Sequence, residues 1–211
     1  AKRFGISASE LIENNKLREG PIIKFSEDLH WQERVAHRGR PMDEAYIHSR
    51  IDGFQTKKTN KNKVLKQQCF QAATLLEKFR RHELKTSQVF NVDKLAKYIA
   101  ISLVMGAKHG LVWHNERFYY NPITSKLEPI GFDGEAGGTI NRSFFPTNLY
   151  ERTLFADPIF QEKLIEQLRQ VSEKSYLDTF FVSIKDELEE NLNIIYKGGY
   201  HLGLICLKNS L

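Results

Sequence analysis

The middle of the chain contains two acidic residues and one asparagine whose side-chain oxygens could bind a metal ion. Asp133 and Glu135 lie in the glycine-rich stretch 131–138, and Asn115 precedes Asp133 by 18 positions. Carboxylate and amide oxygens are hard donors, which suit Mg²⁺ and Mn²⁺. On spacing alone, Asp133 either closes a turn or holds a metal ion, and both interpretations stay open.

The segment between Asn115 and Asp133 has the pattern of a β-hairpin. Residues 117–121 have strand composition, the stretch 121–125 contains Asn-Pro and Thr-Ser turn pairs, and residues 126–132 return as a second strand. The hairpin would place Asp133 in a break next to glycines, where the backbone bends sharply and leaves room for a phosphate.

The loop before Asn115 offers candidate general bases. His109 and His114 both lie within six positions of Asn115, and Lys108 directly precedes His109. Because histidine titrates near neutral pH, its ring accepts a proton readily from an acceptor hydroxyl. We take His109 as the first candidate and His114 as the second. The alternative for each is a histidine that only forms hydrogen bonds within the loop.

Helices with periodic apolar faces should frame this segment. One carries apolar residues at helical spacing from Leu65 to Phe79, and the next carries them from Val92 to Val104, with Gly106 as a predicted C-cap. We also predict a strand at 21–25, helices at 7–16, 158–171 and 176–196, and a solvated loop at 56–63. The predicted fold class is α+β, mostly α, built around one small hairpin.

Composition and charge argue against several classes of protein. The 211 residues include 31 Lys+Arg and 26 Asp+Glu, for a net charge of +5, and 41% are hydrophobic, which is enough for a core. The positive surplus is small and dispersed, so we expect no nucleic-acid partner, although it would tolerate a nucleotide. No apolar run reaches the roughly 20 residues of a membrane span. Cys69 falls on the apolar face of a helix, which favours a buried free thiol over a disulfide with Cys206.

An ordered set of short motifs connects these features. The block from 95 to 135 reads LAKYIAISLVMGAKHGLVWHNERFYYNPITSKLEPIGFDGE. It resembles the central block of the CotH kinase family, the spore-coat-type atypical protein kinases. The matching residues are, in order, Asn115, Phe118-Tyr119-Tyr120, Asn121-Pro122, Lys126 and Phe132-Asp133. Segments 11–25 and 149–170 are also similar to the family, so the resemblance covers nearly the whole chain.

The resemblance implies a function and a set of site residues. Asn115 and Asp133 would bind the Mg²⁺ (or Mn²⁺) ions of ATP, and Glu135 would take the place of a second acidic residue. The implied activity is phosphoryl transfer from the nucleotide to a Ser/Thr-type protein substrate. Residues 1–211 would form a single kinase-type domain fragment whose N-terminal lobe is largely missing, because Ala1 falls inside a family segment. A bacterial cell envelope, spore coat or secreted location fits the resemblance, but the sequence itself sets no compartment.

The chain departs from the family pattern at the expected catalytic base. Family members usually carry an Asp about five positions before the Asn, whereas this chain has Gly110 there. We expect His109 to replace the missing base. The absent Asp favours a rival hypothesis, a catalytically inactive CotH-like protein with a structural or assembly role in a coat or envelope. A metal-dependent hydrolase that uses Asp133 and Glu135 is a third hypothesis.

Overall fold

Four short strands form one antiparallel sheet. The computed structural model describes residues 18–36, 43–138 and 146–197, so the predicted helix at 7–16 lies outside the described residues. The strands are β1 (Ile22–Phe25), β2 (Ile51–Gly53), β3 (Arg117–Asn121) and β4 (Lys126–Ile130). Their order in the sheet is β2-β1-β3-β4. The predicted strand at 21–25 and the predicted hairpin are therefore confirmed, but the hairpin belongs to a larger sheet.

Helices make up most of the remaining described chain. They are α1 (Asp28–Ala36), α2 (Asp43–His48), α3 (Thr56–Lys61), α4 (Lys63–Arg80), α5 (Thr86–Val89), α6 (Val92–Val104), α7 (Leu149–Phe155), α8 (Pro158–Val171), α9 (Lys174–Ser183) and α10 (Lys185–Lys197). A 3-10 turn, Lys108–Leu111, follows α6. The predicted class, α+β and mostly α, is confirmed. The chain divides into two compact units, Ala1–Arg169 and Gln170–Leu211, and a single domain over residues 1–211 stays a prediction.

The two predicted apolar helices bury their stripes in the core. Leu76 and Phe79 of α4 and Leu95 of α6 are fully buried. The ring of Phe90 joins α4 to the sheet, since it lies 5.1 Å from both Phe79 and Phe118, measured between ring centroids. Each such side chain contributes about 1.5–3 kcal/mol through burial. The periodicity of the sequence therefore located the core correctly.

A buried carboxylate fastens the hairpin to α6. Glu128 on β4 is 4% exposed, and its oxygens accept hydrogen bonds from Lys94 Nζ (2.6 Å), Asn121 Nδ2 (3.0 Å) and Asn91 Nδ2 (3.4 Å). A buried carboxylate is stable when its lone pairs are satisfied in this way. Helix α6 and the hairpin therefore form one rigid support for the loops that follow each of them.

Two predicted elements are wrong in detail. Residues 56–63, predicted as a loop, form α3 and the start of α4, because lysine does not break helices and the Asn62 side chain caps α4 at Val64 N and Leu65 N. The single helix predicted at 176–196 is two helices, α9 and α10, because the backbone leaves the helical region at Ile184 (φ −107°, ψ 7°). Their apolar side chains Leu177, Phe180, Phe181 and Leu188 are more than one-third exposed.

Bilayer-crossing helices are not found in the part of the chain that the structure describes. None of its helices has both the length and the apolar character that a span requires.

Candidate metal site

The C-terminal end of α6 places the first half of the site. The helix ends at Val104 with Met105 as its C-cap; Gly106, the predicted C-cap, is the next residue and has the left-handed φ of +64°. Gly137 N donates to Met105 O at 2.9 Å, and a Cβ on Gly106 would lie 2.2 Å from Gly138 O. The chain after the hairpin therefore packs directly against the end of α6, which only glycine at position 106 allows.

A second glycine brings the 3-10 turn against the loop that carries Asp133. A Cβ on Gly110 would lie 2.9 Å from Phe132 O and 3.2 Å from Gly134 Cα. Tyr98 on α6 donates its hydroxyl hydrogen to Gly110 O at 3.0 Å, and the same Cβ would lie 3.0 Å from this hydroxyl. Because no side chain separates the two backbones, His109 and Asp133 are brought within reach of each other.

The loop after β4 is bent by its acidic residues. Asp133 and Glu135 both have φ +49°, whereas the neighbouring glycines 131 and 134 do not adopt positive φ. The expectation that these glycines bend the backbone is therefore wrong. Aspartate tolerates the left-handed region better than most residues, while for glutamate this conformation costs on the order of 1 kcal/mol. The bend turns both carboxylates towards His109.

Three of the predicted site residues meet in one group. His109 Nε2 lies 3.3 Å from Asp133 Oδ2, and one ligand atom from each of His109, Asp133 and Glu135 lies within 4.8 Å of the others. All three are exposed; the side chains of His109 and Asp133 are 44% and 46% accessible. Among the described residues this is the one cluster of three or more His, Cys, Asp or Glu side chains with such spacing.

The donor set fits a divalent cation and favours a transition metal over Mg²⁺. Ligands bind such ions at about 2.1 Å, so ligands of one ion lie at most about 4.2 Å apart, and the group needs only a small closure. One imidazole nitrogen with two carboxylate oxygens suits Mn²⁺ and related transition metals, whereas Mg²⁺ favours oxygen ligands alone. Mn²⁺ therefore fits this group better than Mg²⁺.

The amide of Asn115 supports the 3-10 turn. Asn115 is buried, its Nδ2 donates to His109 O at 3.1 Å, and its backbone N donates to Val112 O at 2.7 Å. The amide is thus used at least partly to hold the segment that presents His109. Its predicted role as a metal ligand stays a prediction.

His114, the second candidate base, lies in a different environment from His109. Its ring is 6% exposed and stacks on His30 at 3.9 Å between centroids, and its Nδ1 has no hydrogen-bond partner among the described residues. Burial, followed by the neighbouring His30 and opposed by the charge of Glu27, lowers the pKa of His114 to about 4, so the ring is neutral at physiological pH. His114 does not belong to the exposed group of His109, Asp133 and Glu135.

Two residues next to Asn115 escaped the sequence interpretation. Glu116 and Arg117 are 2% and 8% exposed. Tyr150 donates its hydroxyl hydrogen to Glu116 Oε2. Burial raises the pKa of Glu116 to about 8, although the hydrogen bond from Tyr150 opposes this shift. The available sequence signal was that two charged residues, Glu116 and Arg117, directly precede the apolar residues Phe118-Tyr119-Tyr120. Without the fold, such a pair resembles the solvent-exposed start of a strand.

The comparisons with known proteins do not assign the chain to a family. No protein-family model, no curated protein and no solved structure matches the chain. The functional argument therefore depends on the site itself.

Replacement of Gly110 by Ala should separate the two halves of the site. The added Cβ meets Phe132 O at 2.9 Å, so the two backbones must move apart and the contact between His109 and Asp133 is lost. We expect Mn²⁺ affinity, measured by titration with EPR detection, to fall by about tenfold or more. Gly131→Ala is the matched control, because its Cβ would meet nothing closer than Tyr98 Cε2 at 3.9 Å. Equal affinities for the two variants would contradict this geometry.

Glu116 should make the free energy of unfolding depend on pH. The buried carboxyl keeps its proton up to a pKa of about 8 in the folded state, whereas the unfolded chain releases it near 4.5. The folded state therefore binds more protons between these values, and stability falls as pH rises through this window, by up to about tenfold in the folding equilibrium constant per pH unit.

The variant Glu116→Gln keeps the size of the side chain and cannot ionise, so most of this pH dependence should disappear. Urea unfolding at both ends of this pH window measures the pH dependence of the free energy of unfolding, and the exposed Glu83→Gln is the control. A wild-type slope that persists in Glu116→Gln would rule out Glu116 as its source.

Proposed function

We propose that the chain is the metal-binding part of an atypical, CotH-like phosphotransferase. It would transfer a phosphoryl group from a nucleoside triphosphate such as ATP, bound with Mn²⁺ or Mg²⁺, to a hydroxyl of a Ser/Thr-type protein substrate. The convergence of His109, Asp133 and Glu135 at the end of the hairpin supports this proposal. The ordered motifs between Leu95 and Glu135 that resemble the CotH family give the reaction class.

The residues of the group have separate tasks in this proposal. Asp133 and Glu135 supply two negative charges that hold the cation, and the cation would neutralise charge on the phosphoryl oxygens. In the transfer, the acceptor oxygen would bond to the γ-phosphorus, the bond from that phosphorus to the bridging oxygen would break and release the nucleoside diphosphate, and the hydroxyl proton would pass to Nδ1 of His109 or to water. Most of the catalysis of such reactions comes from positioning and electrostatics, which this exposed group can provide without a covalent intermediate.

The orientation of His109 fits a metal ligand through Nε2 and leaves Nδ1 for a base. Its Nε2 is turned towards Asp133 Oδ2 at 3.3 Å. While that nitrogen is bound to the carboxylate or to a cation, it cannot accept a proton from an acceptor hydroxyl. Catalysis by His109 as a base would therefore use Nδ1, the ring nitrogen that does not face Asp133.

One observation favours the second candidate, a catalytically inactive protein with a structural role. The position at which the CotH resemblance expects an Asp is Gly110, and a side chain there would meet Phe132 O and Gly134 Cα. The packing between the two turns thus requires glycine at position 110 and leaves no room for the side chain of an Asp. In this alternative the same group binds a cation that only stabilises the loop.

The variant Asp133→Asn tests the proposal with little change in shape. Loss of one of the two carboxylate charges should lower Mn²⁺ affinity by about tenfold or more and abolish transfer of label from ATP to a Ser-rich acceptor. Asp178→Asn is a matched control, because this Asp is 55% exposed, similar to the 46% of Asp133, and pairs with Lys174 on α9.

The outcomes separate the candidates. Mn²⁺ binding with label transfer, both lost in Asp133→Asn, supports the phosphotransferase. Mn²⁺ binding without any transfer by the whole protein supports the structural alternative. Wild-type protein that binds neither Mn²⁺ nor Mg²⁺ would reject both.

A further inference from the structure

Arg117 is a buried cation at the start of β3 that holds the turn around Asn115. Its guanidinium Nη1 donates to three consecutive carbonyl oxygens, those of His114 (3.2 Å), Asn115 and Glu116 (3.4 Å). Carbonyl oxygens that converge on one guanidinium fix the path of the backbone that carries them. The turn that presents Asn115 is therefore wrapped around this side chain.

The flat face of the same guanidinium contacts the loop that carries Asp133. Its central carbon lies 4.2 Å from the ring centroid of Phe132 and 5.6 Å from that of Phe54. Phe132 directly precedes Asp133, and its ring is otherwise 48% exposed. Stacking of a guanidinium on an aromatic face stabilises by about 0.5–2 kcal/mol, more where water is excluded. Arg117 thus touches both loops of the site.

The positive charge of Arg117 is buried, and its guanidinium donates to carbonyl oxygens. Within the described residues no Asp or Glu oxygen lies in ion-pair distance of its guanidinium; Glu27 and Asp133 act on it from further away. Burial of a cation without a partner is costly, and burial lowers the pKa of Arg117 for this reason. Such a costly arrangement indicates a task that an apolar side chain would not perform.

We infer that Arg117 is the positioning residue that joins the Asn115 turn to the Asp133 loop and so keeps the metal ligands in place. This inference rests on the proposed function, because it assigns the residue a role in the same site. Arg117 would touch neither the cation nor the acceptor. It acts through the three carbonyl oxygens on one side and through Phe132 on the other.

The direction of the effect on metal affinity distinguishes positioning from simple electrostatics. A positive charge near Asp133 repels a metal cation, so removal of that charge alone would strengthen metal binding. Loss of the hydrogen bonds and of the stacking contact would instead weaken binding, because the ligands would no longer be held together. The two mechanisms therefore predict opposite signs.

Arg117→Met and Arg117→Lys test the inference together. Met keeps the length and the apolar stem without the charge, and Lys keeps the charge without the planar fork. We expect Mn²⁺ affinity, measured by EPR titration below the unfolding temperature of each variant, to fall by about tenfold or more in both. The exposed Arg81→Met serves as the control and should leave the affinity unchanged.

A second measurement stays informative if the wild-type protein binds no metal. Amide hydrogen exchange should accelerate severalfold in 113–116 and 131–138 in both Arg117 variants, while helix α4 keeps its wild-type rates. In that case the proposed function fails and the positioning role is still tested by the exchange rates.

Three results would overturn the inference. Stronger Mn²⁺ binding in Arg117→Met with unchanged binding in Arg117→Lys would show an electrostatic effect only. Unchanged Mn²⁺ binding with weakened binding of the Mn²⁺–nucleotide complex would show that Arg117 contacts the phosphates directly. Exchange that accelerates equally throughout the protein would show a general loss of stability.

Discussion

The close approach of two backbones, with a glycine at the point of contact, is the constraint on which the site depends. The 3-10 turn after α6 and the loop after β4 meet where Gly110 faces Phe132 O and Gly134 Cα. A Cβ at position 110 would keep the two segments apart. The chemistry of the site depends on this contact, because it brings His109 within 3.3 Å of Asp133. The rigid support beneath it comes from α6 and the hairpin, which Glu128 fastens together.

This constraint also explains why the site departs from the pattern expected of a CotH-like kinase. An acidic base at position 110 is incompatible with the contact between the turns, and the imidazole at position 109 takes its place beside Asp133. An imidazole ligand changes the preferred ion from Mg²⁺ towards Mn²⁺. The buried guanidinium of Arg117 contacts both loops, through His114 O on one side and the ring of Phe132 on the other.

The sequence was informative where local patterns decide the structure. The turn residues at 121–125 predicted the hairpin, and the helical spacing of Leu95, Ile99 and their neighbours predicted the core helix. Strand β2 and helices α1 and α2 were not predicted, because the polar stretch 26–55 has no strong period and is organised by contacts distant in sequence, such as Arg80 with Ser49 O at 2.6 Å. The lysine-rich α3 was missed because charge was taken as a sign of a loop.

For the site, the sequence supplied the residue types, and the fold supplied their grouping. His109, Asp133 and Glu135 were all named as candidates, and the structure places them together. The roles of Glu116 and Arg117 depend on burial and on carbonyl oxygens, and neither is visible in a linear pattern.

Pulsed EPR of Mn²⁺ bound to the wild-type protein measures the central claim most directly, because it detects the nuclei attached to the ion. The account predicts a ¹⁴N coupling from one directly bound imidazole, which disappears in His109→Gln while His30→Gln retains it. Bound Mn²⁺ without any nitrogen coupling, or a coupling that persists in His109→Gln, would contradict a metal site built by the contact of these two turns.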